Sequence, residues 1–293
     1  MRLSARLPHT GDLPVTAGIP AMARAIEEAG FDGAWVSDHI VMPERIDSWY
    51  PFADDGVVRW PTAVDWYDVM VSLAIAAGVT ERVTLGTAVL VLPLRHPVEL
   101  AKQAASLDAA SGGRVVLGVG AGWLREEFDA LGVPFEGRGG RMEEWMAIAR
   151  ACWTGRPPEH RSERYVLPAG TLCLPVPPRG AIPFLVGGHS AFALRRAGRV
   201  GDGWLGQQAA DELDADAAAA AIGTVREAAV AAGRDPDALQ MVLRVVGSEG
   251  RAAEVARHLP ALARAGVQEV IVDLDWEGGD HREDHDVMEH AIR

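Results

Sequence analysis

One unit recurs along this chain: an alanine-rich helical stretch ends in a small residue and a glycine, and a run of β-branched residues follows within a few positions. The unit appears in AIEEAGFDGAWV (25–36), LAIAAGVTERVTLG (73–86), LDAASGGRVVLG (107–118), LRRAGRVGDGWLG (194–206) and LARAGVQEVIV (262–272). Glycine readily adopts the left-handed conformation that ends a helix, after which the chain can enter a short buried strand. The pattern therefore predicts repeated helix–strand units.

Three further apolar runs bring the number of predicted strands to eight, namely RLSARL (2–7), IPFLVGG (182–188) and LQMVLRVVG (239–247). Strands that alternate with helices indicate a parallel sheet, because parallel neighbours need a crossover connection. Eight units in 293 residues favour an α/β fold with one closed (β/α)8 TIM barrel domain over residues 1–293. A doubly wound open sheet is the alternative. We expect the strands to end near residues 7, 37, 89, 119, 187, 205, 246 and 273.

Two connections are too long to be plain loops. Residues 40–64 follow strand 2 and contain Trp49, Tyr50, Phe52 and Trp60, and residues 155–181 precede strand 5. Long ordered loops in a compact domain are usually lids or binding elements, and barrel active sites form at the C-terminal ends of the strands. We expect the first loop to reach the site, although its aromatic side chains could instead only pack the loop down.

The charge and the cysteine content restrict the partners of the chain. A formal net charge of −13 argues against a broad electrostatic contact with nucleic acid or an anionic membrane. Lys102 is the only lysine, so an anion site has to use arginine, backbone N–H groups or helix N-termini. Cys152 and Cys173 form no CxxC motif, and no apolar segment reaches the ~20 residues of a membrane span. We expect a cytoplasmic protein with a small-molecule substrate, and a homodimer is compatible with the sequence.

Two stretches carry polar or side-chain-free positions at predicted strand ends. In WVSDHIVMP (35–43), the titratable pair Asp38-His39 follows strand 2, the position at which barrel enzymes place site residues. In LGVGAGWLREEF (117–128), alternate glycines leave the end of strand 4 without side chains. A flat ligand could then approach the backbone closely, although these glycines could also only relieve crowding inside the barrel.

Other stretches are less specific. LVGGHSA (185–191) combines a glycine pair with Ser190 at a helix start, which favours an anion site or simple helix capping. Thr87 and Ala88 lie near the end of strand 3, which on its pattern alone is a core strand. His281 and His285 lie among carboxylates near the C-terminus but lack the HExxH arrangement, so we expect a solvated, frayed terminal helix and no metal site.

Three long stretches together resemble the luciferase-like monooxygenase superfamily, and specifically its deazaflavin-dependent branch. They are AGFDGAWVSDH, ERVTLGTAVLVLPLRHPVELAKQAASLDAASGGRVVLGVGAGWLREEFDALG and PFLVGGHSAFALRRAGRVGDGW, in this order over nearly the whole chain. The resemblance implies a barrel that binds coenzyme F420 or FMN, with the ring of the coenzyme over the C-terminal ends of the strands.

The resemblance also implies roles for particular residues. His39 would be the catalytic group that polarises or protonates the substrate, and a non-proline cis peptide at Ala88-Val89 would lie against the back of the ring. The Gly-Gly helix start from Gly187 would contact the phosphate. The implied cofactor-binding residues are Asp38, His39, Thr87, Ala88, Val89, Gly120, Ala121, Gly122, Trp123, Gly187, Gly188, His189 and Ser190.

The chain departs from the family pattern at two places. Ala121 replaces the arginine that binds the FMN phosphate in bacterial luciferase. Trp123 replaces the acid of the F420-dependent glucose-6-phosphate dehydrogenases, whose phosphate-binding lysine also has no counterpart in GQQAADEL (206–213). A sugar phosphate is therefore not the expected substrate.

The expected function is an F420-dependent oxidoreductase that transfers hydride between the coenzyme and a small, uncharged or weakly polar organic substrate. The alternatives are an FMN-dependent monooxygenase that uses dioxygen and a flavin reductase, and a non-catalytic flavin-binding relative. Any flavin or F420 reductase would act only through diffusion of the reduced coenzyme.

Overall fold

Eight parallel strands close into a barrel in a computed structural model that describes residues 1–293. The strands are β1 (Arg2–Arg6), β2 (Gly33–Val36), β3 (Thr84–Val91), β4 (Val115–Gly120), β5 (Phe184–Gly187), β6 (Gly203–Ala209), β7 (Gln240–Val246) and β8 (Glu269–Val272). Each strand pairs with the next along the chain, and β8 pairs with β1, with Glu269 opposite Arg2. The predicted (β/α)8 TIM barrel is confirmed, and the open sheet is excluded.

Helices connect the strands on the outside of the barrel. They are α1 (Ile19–Ala29), α2 (Val69–Ala77), α3 (Pro97–Ala110), α4 (Arg125–Ala130), α5 (Arg138–Trp153), α6 (Ala191–Val200), α7 (Ala215–Ala231), α8 (Ala252–Ala265) and α9 (His281–Ile292). Helix α1 ends at Gly30 with a φ of 108°, and α8 ends at Gly266 with a φ of 103°. These left-handed glycines end their helices as the recurring sequence unit predicts.

The predicted strand ends agree with the structure to within two residues at seven strands. The exception is β6, which ends at Ala209 instead of near residue 205. Its last residues include Gln207 and Gln208, so the apolar pattern stops before the ladder does. Pairing with β7 nevertheless continues to Ala209, opposite Val246.

Two layers of apolar side chains surround the sheet. Inside the barrel pack Trp35, Ala88, Val116, Leu185, Leu205, Val242 and Ile271. The larger core lies between the strands and the helices. Near the N-terminal end of the barrel, the buried Glu269 accepts hydrogen bonds from Ser4 Oγ at 2.7 Å and from Trp35 Nε1 at 3.1 Å. The interior is thus packed, and a ligand site has to form at the C-terminal mouth.

The long connection before β5 contains a small antiparallel hairpin, in which His160–Arg161 pairs with Val166–Leu167. One prediction about the C-terminal segment needs correction. Helix α9 is packed and not frayed, since Met288 is buried and the ring of His285 lies 5.1 Å from that of Phe31. No helix in the chain combines the length and apolar character needed to cross a membrane.

Candidate active site at the C-terminal mouth of the barrel

His39 follows β2 and is held by an acid from another unit of the barrel. Its Nδ1 lies 3.0 Å from Oε2 of Glu127, and the Glu127 side chain is only 1% exposed. The other carboxylate oxygen of Glu127 accepts the backbone N–H groups of Ile40 at 2.5 Å and of Val41 at 3.4 Å. This arrangement assigns a proton to Nδ1 and leaves Nε2 as the nitrogen that can act on a ligand.

Asp38 has a different environment from that of its neighbour. Its carboxylate pairs with Arg95 Nη2 at 2.6 Å and accepts the backbone N–H of Val91 at 3.0 Å. Burial raises the pKa of Asp38, and Arg95 opposes this shift. Burial alone would lower the pKa of Arg95, but Asp38 and Asp68 hold it above its usual value. Asp38 therefore holds Arg95 and the end of β3 in place. The contact of Asp38 with a coenzyme stays a prediction.

The end of β3 bulges toward the barrel axis. The Ala88-Val89 peptide is cis, as the resemblance implied, and the pairing with β4 shifts register between Thr87 and Leu90. A Cβ on Gly120 or on Gly187 would come within 2.7 Å of a methyl group of Val89. These two glycines therefore make room for the bulge, and at Gly120 this favours the interpretation that the glycine relieves crowding inside the barrel.

The turn after β4 brings an aromatic ring and a guanidinium group to the mouth. Gly122 has a φ of 85°, and the Trp123 ring lies 6.0 Å from that of His39. Ala121 is half-buried in the same turn. Arg138 at the start of α5 donates from Nε to the carbonyl oxygen of Gly122 at 2.9 Å. A guanidinium group thus lies at this turn, although position 121 carries none.

The turn between β5 and α6 leads into a capped helix. Ser190 Oγ accepts the N–H of Ala193 at 3.2 Å, so Ser190 caps α6 as predicted. Gly188 has a φ of 118°, and its carbonyl oxygen accepts Trp204 Nε1 at 2.9 Å. His189 accepts the N–H of Gln207 through Nε2 at 2.9 Å, and burial lowers its pKa. The first N–H groups of α6 have no intrahelical acceptor and can bind an anion.

The long loop after β2 contributes aromatic side chains to the mouth. The Tyr50 ring lies 4.8 Å from that of Trp60 and 5.1 Å from that of Trp123. Glu126 anchors the loop by accepting the N–H of Asp47 at 2.6 Å and the hydroxyl of Ser48, also at 2.6 Å. The loop therefore reaches the site as expected.

All the predicted site residues lie at the C-terminal ends of β2, β3, β4 and β5 or in the turns that follow. The structure brings Trp123 beside His39, and Val89 against Gly120 and Gly187. Sequence reasoning missed Glu127, Arg95 and Arg138, which contact predicted residues from elsewhere along the chain. The only signal for Glu127 was its place in LREEF, directly after the predicted glycine turn.

Comparison with known proteins agrees with this architecture. The family model described as luciferase-like monooxygenase matches residues 2–291. An uncharacterized protein of Mycobacterium tuberculosis is 41% identical over 194 residues, which are 66% of each chain. An F420-dependent glucose-6-phosphate dehydrogenase of Nakamurella multipartita is 30% identical over 262 residues, or 85% of this chain and 71% of that protein.

The structure of the coenzyme F420 dependent tetrahydromethanopterin reductase from Methanopyrus kandleri is similar, with a TM-score of 0.75. Its sequence is 19% identical, and the match covers 99% of this chain and 98% of that one. This likeness concerns the fold. The family model covers nearly every residue, and the matched segment of the mycobacterial relative spans just under two thirds of that protein. The chain belongs to the luciferase-like monooxygenase family.

Proposed function

We propose that the protein is an F420-dependent oxidoreductase that transfers hydride between the coenzyme and a small organic substrate. The observation that carries the proposal is the His39 imidazole, which is held by the buried Glu127 at the mouth beside the β3 bulge. The family and its F420-dependent relatives support F420 as the coenzyme. The cytoplasmic location and the homodimer remain predictions.

The residues at the mouth fit a flat coenzyme with a phosphate-bearing tail. The bulge at Ala88-Val89 would support the ring, and Trp123 offers a flat apolar wall beside it. The free N–H groups at the start of α6 and the Ser190 turn would hold the phosphate. Arg138 is close enough to the β4–α4 turn to add a charged donor.

His39 would handle the proton of the reaction. When bound, F420 supplies or accepts a hydride at C5 of its deazaflavin ring. In the direction of substrate reduction, the protonated imidazole donates from Nε2 to the substrate atom that becomes more basic. Glu127 accepts the Nδ1–H at 3.0 Å and stabilises the imidazolium that precedes this transfer. In the opposite direction, neutral Nε2 accepts the proton.

The surroundings of His39 limit its contact with water. Its side chain is 10% exposed, and Trp66 and Trp123 both meet its ring edge-on, at 4.9 and 6.0 Å. The loop of residues 40–64 adds Tyr50 and Trp60 above Trp123. Excluding water in this way strengthens the electrostatic effect of Glu127 on the imidazole.

An FMN-dependent monooxygenase is the second candidate, because the matching family model carries that description. Ala121 argues against it, since FMN would lose the bidentate contact that an arginine at this position makes with the phosphate.

A titration with F420 and with FMN, followed by quenching of protein fluorescence, tests the choice of coenzyme. We expect F420 to bind at least about tenfold more tightly than FMN, or ~1.4 kcal/mol. FMN binding as tight as F420 binding would favour the monooxygenase, which would also consume dioxygen during turnover. If neither coenzyme binds, both enzyme assignments are wrong.

A further inference from the structure

Two arginines enter the mouth from strands that carry no predicted coenzyme residue. Arg6 is the last residue of β1, and Arg244 lies in β7, four strands around the barrel from β3. The Arg244 side chain crosses the mouth and donates from Nη1 to the carbonyl oxygen of Ala88 at 3.2 Å. The predicted coenzyme residues lie at β2 to β5, so these guanidinium groups border the space left for a substrate.

Polar atoms in this region lack partners within the protein. Asp273 Oδ1 lies 4.0 Å from Arg6 Nε and 3.8 Å from Arg244 Nη2, both beyond hydrogen-bond distance. Arg6 Nε, Arg244 Nε and Asp273 Oδ1 are all buried and form no hydrogen bond. Buried polar groups are normally hydrogen-bonded, so two unpaired arginine donors beside an unpaired carboxylate oxygen indicate a ligand site.

The buried charges at this point do not balance. Arg6 and Arg244 together face one buried carboxylate, that of Asp273. Burial and the positive charge of Arg6 lower the pKa of the neighbouring His9 to about 4, so His9 is neutral at pH 7. Three further carboxylates line the same pocket: Glu249 and Glu277 are exposed and Asp275 is half-buried, so water screens them. One positive charge in the mouth is left without a buried partner.

We propose that Arg6 and Arg244 bind a carboxylate group of the substrate. A carboxylate monoanion matches the single excess charge, whereas a phosphate dianion exceeds it, and guanidinium groups bind carboxylates in a bidentate manner. The aromatic side chains of Trp66, Tyr50 and Trp123 would contact an apolar body. The substrate class is therefore an organic acid with an apolar or aromatic body. This inference rests on the proposed function and replaces the uncharged substrate expected from the sequence.

Ligand binding to the full chain tests the proposal without turnover. The probes are phenylacetate and longer arylalkyl carboxylates, the carboxamide of each acid, and phenyl phosphate. Binding is measured by tryptophan fluorescence, with and without F420. We expect at least one carboxylate to bind about tenfold or more tightly than its own carboxamide and more tightly than phenyl phosphate.

Matched variants test whether Arg6 and Arg244 cause the tighter binding of the carboxylate relative to its carboxamide. Arg6→Met and Arg244→Met should each reduce the carboxylate-to-carboxamide ratio to about threefold or less, and Arg244→Lys should keep part of it. Arg226→Met, on the outer helix α7, is the control and should retain the full ratio. The melting temperature of each variant identifies any loss of folding, and the wild-type comparison stands without the variants.

Three results would overturn the proposal. The first is that no carboxylate binds more tightly than its carboxamide, and the second is that phenyl phosphate binds best. The third is that the preference survives both methionine substitutions while F420 affinity falls about tenfold, which would make the arginines coenzyme contacts. A carboxylate preference without F420 binding would instead refute only the proposed coenzyme.

Discussion

Nδ1 of His39 lies 3.0 Å from Oε2 of Glu127, although 88 positions separate the two residues along the chain. Helix α4 carries Glu127 into the space behind the β2 end, where its carboxylate also accepts two backbone N–H groups of the following loop. One buried acid therefore sets the orientation of the imidazole and the start of the loop of residues 40–64.

Replacing Glu127 by glutamine tests this relationship. The amide keeps the size and an acceptor oxygen but removes the negative charge that stabilises the imidazolium. We expect kcat to fall roughly 10- to 100-fold with little change in KM, and the pH profile of kcat to move toward lower pH. Steady-state kinetics over pH measure both effects. The exposed Glu136→Gln is the control, and a parallel fall in both variants would argue against a specific role.

Replacing His39 by alanine should remove the proton donor while leaving most of the coenzyme site intact. We expect turnover to fall about 10²- to 10⁴-fold. The dissociation constant of F420 should change by no more than about threefold, because the proposed ring and phosphate contacts come mainly from β3, β4 and α6. His290→Ala, in the exposed end of α9, serves as the control. Unchanged turnover in His39→Ala would remove this residue from the mechanism.

The Asp38–Arg95 ion pair should contribute strongly to stability. The Asp38 side chain is 1% exposed, so Arg95→Met would leave a buried carboxylate without its partner. We expect the free energy of unfolding to fall by about 3–5 kcal/mol, measured by urea denaturation. Arg45→Met breaks the solvent-exposed pair with Asp47 and should cost less than about 1 kcal/mol. Equal losses in the two variants would contradict the importance of burial.

Buried His9 should make the protein sensitive to acid. Burial and Arg6 lower its pKa in the folded state from 6.5 to about 4, so the unfolded chain takes up a proton first as pH falls. The contribution of His9 to stability is complete above pH 6.5 and is lost as pH falls to about 4, up to ~3 kcal/mol.

Urea denaturation at pH 7 and pH 4 measures this effect. His9→Gln cannot titrate, so it should lose less stability than the wild type over this interval, and the difference between the two proteins isolates His9. Identical losses would show that the imidazole titrates alike in the folded and unfolded states.

The barrel and the strand ends could be predicted because they depend on local patterns. Each helix–glycine–strand unit can be recognised from its own residues, and the apolar runs end close to the ends of the observed strands. At β6 the prediction fails because the half-buried Gln207 and Gln208 interrupt the apolar pattern, and the Gln208 side chain forms two hydrogen bonds with the backbone of Asp214 before α7. Polar residues that find partners at the end of a strand are thus the places where an apolar pattern gives the wrong boundary.

The supporting residues of the site could not be predicted for a different reason. Glu127 lies within the charged run REEF, which reads as a solvated helix face, and only the closure of the barrel buries it against His39. Arg95 and Arg244 likewise reach Asp38 and Ala88 from distant positions in the chain. Such contacts depend on the register and curvature of neighbouring strands, which a single sequence does not specify.

The structure of the protein with bound F420 tests the central claim most directly, through the distance between C5 of the deazaflavin and Nε2 of His39. We predict that the ring lies on the Ala88-Val89 bulge, with the coenzyme phosphate at the start of α6. C5 should be nearer to His39 than to any other titratable side chain. A ring bound away from the bulge, or with C5 remote from His39 and nearer to another acid or base, would contradict the account.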